Sequence, residues 1–334
     1  MISTTKPVTR RVYYKLKPWI PRELQIWIRR LNMAGRLRQC SDIWPIDHNT
    51  GQKPAGWTGW PQGKRFAFVL THDVEAVRGR DRCMMLANLE SGLGFRSSFN
   101  FVGKGYPVSK ILRRRLVARG FEVGLHGLVH DHQLYESEDS FRQQAVQINR
   151  ILKAWGAVGF RSPCMYHNLD WLRQLDMEYD SSTFDTDPFE PQPDGVGTIF
   201  PFHVPGNGCG QGYMELPYTL PQDFTLFVLL KEKTIDIWKR KLDWIAAQGG
   251  MALLNVHPDY MSLNGTRPAC DEYPVAFYEE LLEYVASRYR GAYWHVLPRD
   301  VSSFCYGRLV KRTISAADQV SCESSMNKAV VQWT

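Results

Sequence analysis

FAFVLTHDVE, residues 66–75, decides the reading of this chain. Five apolar residues run without a break into Thr71, His72, Asp73, Val74 and Glu75, the pattern of a buried strand whose carboxyl end carries titratable side chains. The pattern recurs downstream. FEVGL (121–125) ends in His126 and is followed by Gly127-Leu128-Val129-His130; Arg161-Ser162-Pro163 and Asp180-Ser181-Ser182 close two further runs, and MALLNV (251–256) ends in His257-Pro258. Candidate strands at Phe66–Thr71, Ser98–Val102, Phe121–Leu125, Gly159–Arg161, Tyr179–Thr183, Met214–Pro217, Met251–Val256 and Tyr293–Leu297 alternate with candidate helices. The helices are Arg80–Ser91, Val108–Arg119, Glu138–Trp155, Leu169–Leu175, Ile235–Gln248 and Pro274–Arg290. Such alternation predicts parallel strands joined by crossover helices, and of the two α/β architectures that satisfy it a (β/α) barrel is preferred to a doubly wound sheet. Reactive side chains of barrels gather at the carboxyl ends of the strands, where these residues stand.

The rest of the chain is bounded by length and charge. With 334 residues, 44% of them hydrophobic, it can bury a large core, and its longest apolar stretch, Phe224 to Leu230, is far too short to span a membrane. Residues 1–40 hold ten Lys/Arg against the single acid Glu23, a charge of +9, while the remainder holds 31 basic and 33 acidic residues. The body is neutral and only the arm is basic, which counts against nucleic-acid binding. Within the arm Leu24, Ile26, Trp27, Ile28 and Leu31 fall near helical spacing after Pro21. That pattern suits a helix on an anionic membrane surface or a partner, and equally a helix packed back on its own domain.

The division expected is a basic amphipathic arm and Pro/Gly/Trp connector over 1–63, a catalytic barrel over 64–310, and a polar, poorly ordered tail over 311–334. The stretch Phe184–Gly212, with five Pro and six Gly, reads as a substrate-facing excursion. No apolar run follows Lys6, Arg10 and Arg11, so no secretory signal is expected, and seven Cys without a CxxC pair point to a reducing compartment. The localisation expected is cytoplasmic, peripheral at the inner face of the membrane.

Two imidazoles at i and i+4, His126 and His130, would clamp one divalent ion if a turn of helix carried them. Asp73 and Glu75, two apart in extended chain, point the same way and can share a site, one on the metal and one free. Arg161 suits an ion pair that keeps Asp73 charged and oriented. Tyr166, Tyr213 and Trp294 are candidate aromatic contacts for a substrate at these strand ends.

The order and spacing of THDVE (71–75), HGLVH (126–130), FRSP (160–163), YDSS (179–182) and NVHP (255–258) resemble the polysaccharide deacetylases of the NodB-homology type over about residues 64–300. The resemblance implies a distorted (β/α) barrel and a divalent metal held by one carboxylate and two His. The reaction implied is hydrolysis of an N-acetyl, sometimes O-acetyl, group on a sugar. Carried over by position, Asp73 is the general base, Glu75 with His126 and His130 the metal set, Arg161 the residue orienting the base, and His257 the general acid on the opposite wall. The main-chain N–H of Cys164 serves the oxyanion, and Asp180 stands behind the site or against the substrate. Zinc is the default metal, with cobalt, nickel and manganese also suited to nitrogen-and-carboxylate ligands.

Three positions depart from the family pattern. Glu75 replaces the usual Asp, Cys164 follows Pro163 where many members carry an aromatic residue, and Asn255 stands where acetate-binding members place Leu, which would put a polar group in the acyl pocket. The alternatives that follow are a deformylase or other C–N amidohydrolase acting on a lipid-linked sugar or small amide, and a carbohydrate-binding protein without turnover. The partners expected are a carbohydrate, free or lipid-linked, and an anionic membrane surface through residues 1–40.

Overall fold

The computed structural model describes residues 21–206, 212–263, 265 and 267–309. The expected tail and the first half of the basic arm lie outside these residues. Helix α1 (Arg22–Gln39) starts after Pro21. Then β1 (Phe66–Val74), α2 (Val77–Gly92), β2 (Ser98–Phe101), α3 (Lys110–Ala118), β3 (Glu122–Leu125) and α4 (Glu138–Trp155) follow in strict alternation. The chain continues through β4 (Gly159–Phe160), α5 (Leu169–Leu172), β5 (Tyr179–Asp180), β6 (Phe202–Val204) and β7 (Tyr213–Glu215). After a six-residue π-helix (Phe224–Leu229) come α6 (Asp236–Gln248), β8 (Met251–Val256), β9 (Met261–Ser262), β10 (Tyr273–Pro274), α7 (Ala276–Arg288) and β11 (Tyr293–His295), and 298–309 is helical again.

The main sheet runs β11-β1-β2-β3-β4-β5-β7-β6, with β8 on the other edge of β1. Every pairing in it is parallel except β6 with β7. A parallel bridge from Leu220 to Leu254 brings the chain after β7 back to β8, so the sheet curls into a distorted barrel. All nine residues of β1 are buried, because helices cover its outside and side chains fill its inside. This explains why its apolar run is continuous rather than alternating.

The helices obey their own signals. Ser137 accepts a hydrogen bond from Ser140 N at the start of α4, Gly156 ends it at φ 65°, and Phe141, Ala145, Ile148 and Leu152 make the buried stripe between. The Pro/Gly-rich excursion is not free loop. Its buried Asp185 pairs with Lys241 at 2.9 Å, and the Tyr218 hydroxyl lies within hydrogen-bond reach of both Asp187, at 2.8 Å, and Glu190, at 2.9 Å. In the connector, Trp60 is buried and donates its indole N–H to the Gly249 carbonyl, stacking against Phe304 and Trp294. Among the described residues no helix is long and apolar enough to cross a membrane.

Candidate active site

The carboxyl ends of β1, β3, β4 and β8 converge, and with them the residues singled out from the motifs. Asp73, at the end of β1, is buried and clasped by three donors. Asn100 Nδ2 lies 3.1 Å and Arg161 3.4 Å from Oδ1, and Asn255 Nδ2 lies 2.8 Å from Oδ2. Burial opposes its charge, yet His126, Arg161, His257 and the Asn100 amide together hold its carboxyl down to about 2. Arg161 is itself fixed by Thr71 Oγ1 at 2.8 Å and by the carbonyl and hydroxyl of Ser181, so it cannot swing away from Asp73.

Glu75 points to another part of the pocket. Its carboxylate lies 3.1 Å from His130 Nε2 and accepts a hydrogen bond from the Tyr260 hydroxyl. Its main chain is pinned by Asp259, whose carboxylate accepts from Glu75 N at 2.9 Å and also from Ala76 N and Gly79 N at the start of α2. Gly79 must lack a Cβ there, since one would stand 2.0 Å from Asp259 Oδ2.

The two histidines of HGLVH do not sit on a helix, contrary to the expectation from their i, i+4 spacing. Residues 126–130 form a bend in which Gly127 takes φ +66°, and a Cβ on it would meet Pro163 at 2.5 Å. The bend nevertheless brings the rings together, with centroids 5.2 Å apart. His126 Nδ1 lies 3.1 Å from the Arg161 carbonyl, which can only accept, so the proton sits on Nδ1 and Nε2 is left as a bare lone pair. Burial drives the ring down to about 4, keeping it neutral.

His257 follows β8, which pairs directly with β1 from Ala67 to His72. The expected opposite wall is therefore wrong: His257 and Asp73 come from neighbouring strands. His257 Nδ1 lies 2.6 Å from Asp223 Oδ1, whose other oxygen accepts from His257 N at 2.8 Å and from the Tyr273 hydroxyl at 3.0 Å. Burial opposes protonation of the ring, but Asp223, Glu75 and Asp73 outweigh it and lift His257 to about 9. Its Nε2 faces the pocket, 3.9 Å from Glu75 Oε1.

Other expectations need correction. Asn255 puts no free polar group into an acyl pocket, because its amide is spent on Asp73 and on Gln222 Oε1 at 3.2 Å. Trp294 pairs with Ala67 near the start of β1, at the end of the barrel away from Asp73, and packs on Trp60 and Phe304. Tyr213 is buried in the core with its hydroxyl on the Leu169 carbonyl, and Tyr166 is buried as well, so neither ring offers a face to a sugar. Asp180 accepts from Ser182 N and Oγ and is buried with Glu215, behind the site rather than in it. Cys164 holds a left-handed φ of 54° with its sulfur 4.0 Å from His130 Nε2.

Asp223, Asn100, Tyr260 and Asp259 were not picked out from the sequence. Asp259 and Tyr260 directly follow NVHP and were open to inspection. Asp223 precedes the longest apolar stretch and caps it, accepting from Phe224 N at 2.8 Å.

Among the described residues no three His, Cys, Asp or Glu side chains are gathered so as to hold an ion as they stand. The donor chemistry still fits a divalent ion. His126 presents an unprotonated nitrogen with its other nitrogen anchored to main chain, the arrangement of a ligating imidazole, and His130 and Glu75 add a nitrogen and a carboxylate.

No family model and no curated protein sequence matches the chain. Solved structures do match. One described as a polysaccharide deacetylase from Mycobacterium smegmatis superposes with a TM-score of 0.58 at 18% identity, over 77% of this chain and 95% of that one. A second, described as a polysaccharide deacetylase from Pseudomonas aeruginosa, gives 0.54 at 17% over 73% and 92%. A third, the allantoinase PuuE, gives 0.56 at 17% over 78% and 96%. The curled parallel sheet and its helices superpose on these structures, and the chain has the polysaccharide deacetylase fold.

Proposed function

We propose that the chain is a metal-dependent hydrolase that removes an N-acetyl or O-acetyl group from a sugar of a glycan or glycan precursor, with residues 64–310 as the catalytic barrel. The observation that carries this reading is the pairing of an ionised, triply clasped Asp73 with a protonated His257 backed by Asp223, side by side at the mouth of β1 and β8.

An amide is a poor electrophile with a poor leaving group, so its hydrolysis needs an activated water, a stabilised oxyanion and a proton for the amine. Asp73 accepts the proton of the attacking water, and its three donors fix where that acceptor points. His257 holds the proton for the departing amine at Nε2, and Asp223 keeps the ring oriented. Arg161 is a positioning residue for Asp73. The main-chain N–H of Cys164 is the donor proposed for the oxyanion. Glu75, His126 and His130 would hold a divalent ion, zinc by default and cobalt, nickel or manganese as well, which supplies acidified water and a polarised carbonyl. Burial opposes protonation of His130, but Glu75 and then Cys164 outweigh it and hold the ring well above its ordinary value.

Product analysis tests this. Acetate should appear from a panel of N-acetylated sugars only when the protein carries metal, and elemental analysis should find one ion per chain, lost in His126→Ala and His130→Ala. No acid released from any acylated sugar, or no metal in protein isolated without chelator, overturns it. The allantoinase on this fold favours a second reading, a deformylase or other amidohydrolase on a lipid-linked sugar or small amide. Formate in place of acetate would establish that one. A carbohydrate-binding protein without turnover has no use for Asp73, His257 and Asp223 held together.

The arm belongs to the same proposal. Helix α1 buries Ile26 and Met33 on the barrel, and Arg30 donates to the Val228 carbonyl at 2.8 Å, so the stripe read from the sequence is split. Leu24, Trp27 and Leu31 remain outward, 44%, 55% and 55% exposed. Apolar side chains at i, i+3 and i+7 on a helix rich in arginine suit contact with an anionic bilayer at the inner face of a membrane, where a lipid-linked sugar would be met. Sedimentation with phosphatidylglycerol vesicles should carry the full-length protein down at low salt and leave Leu24→Ser/Trp27→Ser/Leu31→Ser in solution. Wild-type protein that stays in the supernatant at low salt rules the contact out.

A further inference from the structure

Helix α1 also delivers charge to the mouth of the site. The guanidinium carbons of Arg22 and Arg29 stand 5.9 and 4.9 Å from the centre of one ring, Phe224, the first residue of the π-helix. That ring lies 4.5 Å from the ring of Tyr260, which lies 5.3 Å from that of His257 and gives its hydroxyl hydrogen to Glu75. Arg22 also reaches the Tyr260 side chain directly, so one aromatic side chain separates it, and two separate Arg29, from the reacting groups.

These charges are only partly matched inside the protein. Arg22 and Arg78 share one carboxylate, Asp271, at 3.4 and 3.0 Å, and Arg78 and Arg82 share Glu272 at 3.7 and 2.6 Å. Among the described residues Arg29 has no ion-pair partner, so four arginines meet two acids along this rim. The field of the buried Glu190 also reaches Arg29. It accepts from Gln222 and lies beside the Tyr218 hydroxyl, and burial, with Asp187 next to it, raises it above the ordinary carboxylate range, which weakens its hold on Arg29. An aromatic face beneath a guanidinium orients its planar fork without neutralising it, and that fork matches the paired oxygens of phosphates and carboxylates.

We infer that Arg22 and Arg29 bind an anionic substituent, a phosphate or a carboxylate, carried by the sugar substrate. The inference rests on the deacylase reading for the sugar alone; the charge recognition follows from the rim.

Calorimetry on the full-length protein tests it with three probes: N-acetylglucosamine, N-acetylglucosamine 1-phosphate and N-acetylmuramic acid. At least one charged sugar should bind about tenfold or more tighter than the neutral one, and which of the two does so distinguishes phosphate from carboxylate. The preference should collapse towards parity in Arg22→Gln/Arg29→Gln and at high salt. Arg38→Gln, an exposed arginine near the other end of α1, should keep it. Equal or undetectable binding of all three sugars by the wild type, or a preference that survives the double substitution, overturns the inference. Acyl release is scored separately. Turnover without preference removes the rim site and keeps the deacylase, whereas preference without turnover does the reverse.

Discussion

Asp73→Asn should abolish turnover, by at least the factor of roughly 10²–10⁴ attributed to a positioned base, while the protein keeps its metal. The substitution preserves shape but not polarity. All three groups that clasp Asp73, from Asn100, Arg161 and Asn255, are donors. An amide there must turn its own NH₂ against one of them and leaves Arg161 without its counter-charge, a cost of about 1–3 kcal/mol for an unmet buried group. The melting temperature should fall with the rate, and a melt recorded beside the assay separates lost chemistry from lost fold. Glu75→Ala should do the opposite, losing metal first. His126 Nε2 lies 3.9 Å from Asp73 and His130 Nε2 lies 3.1 Å from Glu75, so both carboxylates face imidazoles. If Asp73→Asn strips the metal and Glu75→Ala retains it, the roles of base and ligand are exchanged.

Much of the barrel was legible because its longest buried parallel strands, β1 and β8, leave short apolar runs that end in polar residues. All eight candidate strands exist, and Met251–Val256 and the helix Glu138–Trp155 match to the residue. What the pattern missed has no periodicity to show. Strand β6 is three residues inside a Pro/Gly-rich excursion, and its strand state comes from antiparallel pairing with β7. The helix over 298–309 was hidden by the polar composition that follows it. The π-helix reads as an apolar run of either type, since all six of its residues are buried.

The site was legible in its members and less so in its geometry. Residues at strand ends could be named because the fold collects them, but their orientation is tertiary. HGLVH has helical spacing, yet the chain bends there, with Gly127 at φ +66° packed so close to Pro163 that no Cβ would fit. Asn255 looked like a polar intruder in an acyl pocket until Asp73 and Gln222 were seen to use up its amide. Asp223 lies 34 residues before His257, and nothing local to either marks them as partners.

His257→Ala should lower kcat by about 10²–10⁴ on an amide substrate, the usual range for a lost general acid, with the metal content unchanged. The loss should shrink on an aryl acetate, whose phenolate departs without a proton, because the variant then lacks only what that reaction does not need. Asp223→Asn probes the same proton from the other side. It keeps an oxygen for His257 Nδ1–H but removes the charge that raises the ring, so the alkaline limb of the kcat profile should move to lower pH. The sign follows from linkage: a histidine held up to about 9 by its partner stays protonated below that value, and without the partner it loses its proton earlier on the way up. A structural role for Asp223, which also caps the π-helix and accepts from Tyr273, would lower stability without moving the profile. Equal losses on amide and aryl ester in His257→Ala would remove His257 from the acid role and leave Asp73 as the proton-handling side chain of this site.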